Sequence, residues 1–270
     1  MKKLFSALRG TYIAIMFAFL YAPVVLMIGL SFNGPGSTYE WNGFSVAKYI
    51  ALFENEIIME ALLNTVILGV ASAAIATLLG TLASLGMIVM GKKLRTTVTT
   101  IGNIPLMNAD IVTGVALMLF FAGFVVRMSN VTLLISHVTL VLPYVVLNVY
   151  PKLCQFDKSI YYAALDLGAS PIKSFFKVVL PDIFPGVLTG FLLALTLSLD
   201  DFTISYFTKG QGLNTLSTMI YTNRVRGILP EYYALAALMF VVMLLLILVL
   251  QISNMRSAVT TDKSRKESNF

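Results

Sequence analysis

Six long apolar runs, separated by polar segments, dominate the sequence. A bilayer core of about 30 Å needs roughly 20 apolar residues in one helix, and each run approaches or exceeds that length. The runs cover approximately residues 11–31, 61–91, 99–124, 131–150, 187–207 and 232–252. This pattern predicts an all-α, polytopic membrane protein with six transmembrane helices.

Individual runs carry further signals. The first follows Lys2, Lys3 and Arg9, as in a signal peptide, but it is too long for one and has no small-residue cleavage site, which predicts a retained membrane anchor. The third is interrupted by Pro105. Small residues in the second run predict close helix packing: Gly69, Ala73, Ala76, Gly80, Ala83 and Ser84.

The composition supports a membrane protein and reduces the number of functions to consider. Only 12% of residues are charged, against about 25% in soluble domains. The net charge is +6, but the sequence contains no basic stripe interleaved with aromatic residues, so a nucleic-acid partner is not expected. The single cysteine, Cys154, excludes an intrachain disulfide. The single histidine, His137, lies in an apolar run and is interpreted as a hydrogen-bonded helix-interface residue. No catalytic residue, metal or cofactor is predicted.

The distribution of lysine and arginine predicts the orientation. Cytoplasmic loops carry an excess of these residues, and an arrangement with both termini in the cytoplasm gives the larger excess. Cytoplasmic segments then hold Lys2, Lys3, Arg9, Lys92, Lys93, Arg95, Lys152, Lys158, Lys173, Lys177, Arg256, Lys263, Arg265 and Lys266, whereas outer segments hold Lys48, Arg127, Lys209, Arg224 and Arg226.

The polar segment between the fourth and fifth runs, residues 152–186, predicts two short helices. The first covers 159–167 and ends at Gly168, which can adopt a left-handed conformation. Ser170 caps the second, with Pro171 at its first position, and prolines at 181 and 185 are expected to stop it. An apolar face outside the membrane requires a partner, and this helix carries one: Ile172, Phe175, Phe176 and Val179.

This segment resembles the "EAA loop" of ABC importer permeases, which docks on the ATPase subunit in that family. The resemblance departs at Tyr162, where the family usually has glutamate. The resemblance implies an ATPase-coupling role for Tyr162, Ala163, Ala164, Leu165, Gly168, Ala169, Ser170, Phe175, Leu180 and Pro181.

The family resemblance also implies an organisation and a set of partners. Residues 1–10 would be a cytoplasmic N-terminus, 11–60 the first helix and outer loop, 61–253 the permease transmembrane domain, and 254–270 a disordered cytoplasmic tail. The complex, in the bacterial cytoplasmic membrane, would include a second homologous permease, two ATPase subunits and an extracytoplasmic substrate-binding protein. The chain has no GxxxxGK[ST] loop of its own.

Three acids lie within predicted spans: Asp110, Asp200 and Asp201. An ionisable residue in a span costs roughly 2.5–3.5 kcal/mol on insertion scales, so each requires an explanation. They could line an acidic path for a cationic substrate. Alternatively, one or more of them caps a broken helix or bonds to a partner subunit.

The segments around these acids resemble the spermidine/putrescine permeases, closest to the second of their two permease subunits. The matching stretches are residues 108–112, 136–139, 142–144 and 197–202. The resemblance implies a polyamine substrate, whose ammonium groups Tyr206 and Tyr221 could contact through their rings. Alternatives are an ABC permease for iron, sulfate or thiamine, and a stand-alone secondary transporter. A membrane enzyme finds no support, because no paired histidines, HExxH or Ser/His constellation is present.

Overall fold

The computed structural model describes the backbone of residues 2–34, 40–223 and 229–267, and the side chains of 9–34, 40–223, 229–249 and 251. Across this part of the chain the fold is helical, with one isolated β-bridge between Asn33 and Phe44. Arg224, Arg226 and the turn at Pro35 and Gly36 lie outside the described residues. The helices are α1 Lys2–Ser31, α2 Ala47–Glu54, α3 Glu56–Val89, α4 Lys92–Gly102, α5 Ile104–Met107, α6 Asp110–Gly123, α7 Asn130–Gln155, α8 Lys158–Asp166, α9 Pro171–Ser174, α10 Leu180–Asp200, α11 Thr203–Thr208, α12 Leu216–Asn223 and α13 Glu231–Glu267.

The membrane spans confirm the predicted all-α polytopic class. Five helical stretches of the described chain are long and apolar enough to cross a bilayer. A sixth is found only if a bent pair, Lys92–Met107 and Asp110–Gly123, counts as one span. The five are Arg9–Ser31, Glu56–Val89, Asn130–Gln155, Pro171–Asp200 and Glu231–Val249.

The bend in the third run differs from its predicted position. The helix axes turn by 107°, and the extended residues are Asn108 and Ala109 rather than Pro105. Pro105 sits in the first turn of α5, where its missing N–H has no intrahelical role and a helix tolerates it.

The prolines at 181 and 185 do not stop the helix before the fifth span, so that prediction is wrong. Helix α9 continues through a π-helical turn, Phe175–Val179, into α10. Pro181 lies in the first turn of α10, and Pro185 is accommodated inside it. The fifth span instead breaks after Asp200, earlier than the predicted end near residue 207.

The C-terminal helix also extends further than the sequence indicated. The backbone of α13 is helical to Glu267, through most of the segment predicted as a disordered tail, and residues 268–270 lie outside the description. The sequence from Asn254 to Glu267 contains neither glycine nor proline, so nothing in it breaks a helix.

The chain divides into two units. The first comprises Met1–Glu60 and Ile220–Leu244. In it, the Lys48 ammonium group donates to the carbonyl of Leu30 at 2.7 Å, and Tyr49 bonds to Ser31 at 2.8 Å. A cation at the carbonyl end of α1 is favoured by the helix dipole, so these contacts fasten α2 to the end of α1.

The second unit comprises Ala61–Met219 and Leu245–Phe270 and is built on close helix packing. Ala73 and Ala76 of α3 are fully buried, as the small-residue pattern predicted. A Cβ placed on Gly80 would lie 2.7 Å from Cγ1 of Val145 on α7, and one on Gly190 of α10 would lie 3.3 Å from the Val145 Cα. Glycines on two helices therefore let α3 and α10 approach α7.

We expect Gly80→Ala to destabilise the protein by about 1–3 kcal/mol, because the added methyl group overpacks the α3–α7 contact. Gly86→Ala is the matched control on the same helix, since its nearest neighbour is Cε of Met90 at 4.0 Å. Thermal unfolding in detergent measures both. Equal stability of the two variants would show that α3 can shift away from α7 at no cost.

Candidate functional site

A break in the fifth span is the centre of the site. Helix α10 ends at Asp200, Asp201 has an extended backbone, and α11 starts at Thr203. Non-helical backbone at membrane depth is tolerated only where it is buried in protein or lines a cavity, because lipid cannot satisfy its polar groups. The hydrogen bonds around this break therefore decide what each acid does.

Asp201 caps the helix that follows the break. Its Oδ1 accepts from the Ile204 backbone N–H at 3.2 Å and its Oδ2 from that of Ser205 at 2.8 Å. Its backbone carbonyl accepts from the Ser217 hydroxyl at 2.7 Å. The Asp201 side chain is only 6% exposed. Of the alternatives for this acid, the geometry supports a cap on a broken helix.

His137 joins the two sides of the break from a neighbouring helix. Its Nδ1 lies 2.7 Å from Oγ of Ser198 on α10, and its Nε2 lies 2.9 Å from Oγ of Ser205 on α11. Nε2 is also 3.5 Å from Oδ2 of Asp201. The histidine is fully buried, so it is the hydrogen-bonded helix-interface residue that the sequence predicted.

The polar cluster continues onto α3. Oγ of Ser72 lies 2.9 Å from Oγ of Ser198, and both side chains are buried. At the far end of α11, the Thr132 hydroxyl donates to the carbonyl of Thr208 at 3.0 Å. These bonds connect α3, α7, α10 and α11 through buried polar groups and hold the break in one geometry.

Asp200 is placed differently from its neighbour. Its side chain is exposed, and it makes no hydrogen bond or ion pair within the described part of the chain. It is the last residue of α10, where free carbonyl groups give the helix end about half a negative charge. The carboxylate and the helix end together form an electronegative point that a cation would neutralise.

Asp110 occupies the opposite kind of helix end. It is the first residue of α6 and is exposed, and a carboxylate there is favoured by the positive end of the helix dipole. One turn later, a Cβ on Gly114 would lie 3.0 Å from Phe207 and 3.5 Å from the Thr203 carbonyl. This packing of α6 on α11 places Asp110 in the same region of the second unit as the fifth-span break.

The two predicted aromatic residues lie in different units of the chain. Tyr206 on α11 is exposed, and its ring centroid lies 5.5 Å from those of Phe202 and Phe207. Tyr221, on α12, belongs to the first unit and is also exposed. A role for either ring in substrate contact stays a prediction.

The loop after the fourth span folds as two short helices. Ser159 donates its backbone N–H to Asp157 at 2.9 Å, and this bond holds the pKa of Asp157 below its usual value. Gly168 has φ +82°, and the Gly168 and Ala169 N–H groups bond back to the Leu165 and Ala164 carbonyls. The Ser170 side chain accepts from the Lys173 N–H at 3.3 Å. The predicted glycine turn and serine cap are confirmed.

The apolar face of this loop is divided in two. Val179 is buried and Phe175 half-buried, together with Tyr161 beside a groove of about 290 Å³. Leu167 and Ile172, by contrast, are 89% and 73% exposed. Of the predicted coupling residues, Tyr162, Ala163, Gly168, Ser170 and Pro181 are exposed, whereas Ala164, Leu165, Ala169, Phe175 and Leu180 are half-buried.

The sequence analysis did not connect Ser198 and Ser205 to His137. The partners of His137 on α10 and α11 are 61 and 68 residues away, so no local pattern links them. The available signal is that several apolar spans each carry a buried polar residue. No group of three or more His, Cys, Asp or Glu side chains suited to a metal ion occurs among the described residues.

Long apolar helices, a buried polar cluster at a break in the fifth span and an exposed helical loop define a multi-span membrane protein. The chain belongs to the family of binding-protein-dependent transport system inner membrane components, which matches residues 76–256.

Relatives with assigned functions agree with this family. The spermidine/putrescine transport system permease protein PotC of Haemophilus influenzae is 33% identical over 91% of this chain and 95% of the relative. The putrescine transport system permease protein PotI of Escherichia coli K12 is 34% identical over 86% and 85%. These relatives are permease subunits of transport systems, and the homology extends over most of the chain.

Solved structures support the fold. A bacterial ABC transporter involved in import of the acidic polysaccharide alginate matches with a TM-score of 0.68 over 94% of this chain and 95% of the other. The identity is 16%, so this similarity concerns the fold and not the substrate.

We expect His137→Ala to destabilise the protein by at least about 2 kcal/mol, because it removes the two hydrogen bonds that link the buried hydroxyl groups of Ser198 and Ser205 across the break. Ser136→Ala is the matched control: Ser136 is equally buried but bonds only to Thr132 of its own helix, so its loss should cost under about 1 kcal/mol. Thermal unfolding of the purified chain compares them. If both variants unfold at the same temperature, the cluster does not hold the break.

Proposed function

We propose that this chain is one permease subunit of an ABC importer for polyamines such as spermidine and putrescine, and that Asp200 contacts the cationic substrate. The observation that carries the proposal is an unpartnered carboxylate at the negative end of α10, in a chain whose relatives are polyamine permeases. Polyamines carry two or more positive charges at neutral pH, so they complement such a point.

The three acids then have different roles. The backbone N–H groups of α11 stabilise the negative charge of Asp201 by hydrogen bonds, and Asp201 lies close to His137. Asp110 lies at a helix N-terminus, which favours a negative charge without any cation. Asp200 lies at a helix C-terminus, which disfavours a negative charge. An ammonium group would therefore gain most beside Asp200, with Asp110 and the ring of Tyr206 in the same region of the second unit.

The proposed topology places both termini in the cytoplasm, because this arrangement puts most lysines and arginines inside. Residues 61–253 then form the permease domain, preceded by the anchor helix and outer loop at 11–60. The cytoplasmic side includes the N-terminal residues, the helical loop within 152–186 and the C-terminal end of the chain.

The proposed partners are a second homologous permease, two ATPase subunits and an extracytoplasmic substrate-binding protein. ATP hydrolysis belongs to the ATPase subunits. The exposed apolar side chains of the loop, including Tyr162, Leu167 and Ile172, supply the docking surface. Tyr162 would give that contact an aromatic ring and a hydroxyl group where the family usually has a carboxylate.

The continuous helix from Pro171 to Asp200 suggests how docking reaches the substrate. Its 30 residues span about 45 Å at 1.5 Å per residue. The loop-side end carries the exposed Ile172, and the other end carries Asp200 at the break. A movement of the loop with the ATPase would therefore shift the position of Asp200 through one helical element.

The deciding experiment is ATPase activity of the co-expressed complex in lipid, with the binding protein and one solute at a time. We expect spermidine or putrescine to stimulate hydrolysis, whereas iron, sulfate and thiamine should not. Stimulation by another solute would support the assignment as an ABC permease but exclude a polyamine as its substrate. Transport by this chain without any ATPase would favour the stand-alone transporter.

Asp200→Asn should lower polyamine uptake at least about tenfold, equivalent to about 1.4 kcal/mol, and leave the amount of folded protein unchanged. Asp201→Asn should mainly lower stability, because it weakens the cap on α11. Asp182→Asn is the control, since Asp182 is an exposed acid in the first turn of the same helix. Uptake in vesicles and thermal unfolding separate the two effects. Wild-type uptake by Asp200→Asn would contradict the assigned substrate contact.

Gly168→Val should uncouple ATP hydrolysis from transport. A left-handed backbone costs a residue with a side chain roughly 1–2 kcal/mol, and a β-branched one more, so the turn between α8 and α9 would rearrange. Asn, which tolerates this conformation better, should retain more coupling in Gly168→Asn. The ratio of ATP hydrolysed to substrate transported is the measurement, and an unchanged ratio in Gly168→Val would exclude a docking role for this turn.

A further inference from the structure

The backbone that carries the Asp200 carboxylate is held on both sides of this residue. Asp200 is the last residue of α10, and its side chain is exposed. The two residues before it, Ser198 and Leu199, are only 2% and 8% exposed. The residue after it, Asp201, is fixed by its bonds to the N–H groups of α11. An exposed acid therefore projects from a short stretch of chain that is buried and bonded to its surroundings.

Ser198 connects the end of α10 to two neighbouring helices. Its Oγ lies 2.9 Å from Oγ of Ser72 on α3 and 2.7 Å from Nδ1 of His137 on α7. The hydroxyl group of Thr196, two residues earlier, behaves differently, since it donates to the Leu192 carbonyl of its own helix. Both partners of Ser198 are fully buried, so water does not compete for these bonds. The Ser198 hydroxyl group therefore links the last turn of α10 to both α3 and α7.

The packing of Leu199 adds a second constraint from α3. A Cβ placed on Gly69 would lie 2.9 Å from Cδ2 of Leu199 and 3.2 Å from its Cγ. The missing side chain at Gly69 thus lets Leu199 lie directly against α3. Gly69 and Ser72 are three residues apart and share one face of α3. A hydrogen bond and a close apolar contact therefore hold the two residues that immediately precede Asp200.

These constraints act where a helix is otherwise least fixed. The last carbonyl groups of a helix have no intrahelical partner, and helix ends fray. A group that binds a ligand must nevertheless be held within roughly 0.5 Å of its productive position by the residues that support it. The Asp200 carboxylate is exposed and is not fixed by the cap that holds Asp201. Its position therefore depends on the buried residues on either side of it.

We propose that Ser198 is a positioning residue for transport. Through Ser72 and His137 it fixes the end of α10, so that the Asp200 carboxylate meets an ammonium group of the substrate in one position. The inference rests on the proposed contact between Asp200 and a cationic substrate. It gives a buried hydroxyl group, which does not itself touch the substrate, a role in transport in addition to its contribution to stability.

The first test measures spermidine uptake and ATP hydrolysis by the complete complex in vesicles, with saturating loaded binding protein. We expect Ser198→Ala to lower the spermidine transported per ATP at least about fivefold, since misplacing a group by about 1 Å can cost up to about a hundredfold in rate. Ser72→Ala, which removes one of the two bonds, should act in the same direction, and it serves as the test if Ser198→Ala does not fold. Ser136→Ala, which removes a buried hydroxyl group bonded within α7, should match wild type. A wild-type ratio in both Ser198→Ala and Ser72→Ala, or an equal loss in Ser136→Ala, would overturn the proposal.

A double-mutant cycle provides the second test, because residues that act through one another have non-additive effects. In the Asp200→Asn background we expect Ser198→Ala to lower uptake by less than about twofold further, since no carboxylate remains to be positioned. The same fold-loss in both backgrounds would show that Ser198 acts independently of Asp200 and would overturn its positioning role. Low uptake by Asp200→Asn together with wild-type uptake by Ser198→Ala would overturn this role alone. Wild-type uptake by Asp200→Asn would contradict the substrate contact and the positioning role together.

Discussion

The organisation of the second unit depends on one constraint, the need to satisfy a broken helix inside the membrane. The backbone groups around Asp201 and Phe202 cannot be hydrated by lipid, so the protein must supply their partners. Asp201 and Ser217 supply them locally, and His137 ties both sides of the break to α7. The polar residues in otherwise apolar spans are explained largely by this requirement.

The same break gives two adjacent acids opposite properties. Asp201 lies where N–H groups of a new helix converge, so its charge is neutralised by the protein. Asp200, one residue earlier, lies where the carbonyl groups of the preceding helix are left over, so its charge is reinforced. Chemical identity and sequence neighbourhood are nearly the same for the two residues. Their difference comes from which side of the helix end each occupies.

The exposed loop depends on one glycine turn and on the helix that follows it. Its turn needs a residue that accepts positive φ, and Gly168 provides one. The second helix then continues through a π-helical turn into the fifth span, so the loop and the break lie at the two ends of one continuous helical stretch. The apolar side chains that the sequence placed on one face are divided by this geometry: Val179 packs inward, and Ile172 remains outside.

The sequence by itself determined the membrane class, the five long spans, the small residues at helix contacts and the capped turn of the loop, because apolar run length and local turn chemistry depend only on neighbouring residues. It also identified the family through short motifs. It did not determine where the third and fifth spans break, since Pro105 and Pro181 fit into helix starts. The sequence left a cap on a broken helix as one alternative for Asp201, and the tertiary structure selected it. The hydrogen bonds of His137 across the break were decided by tertiary structure alone, because they join residues 61 and 68 positions apart and no local pattern encodes them.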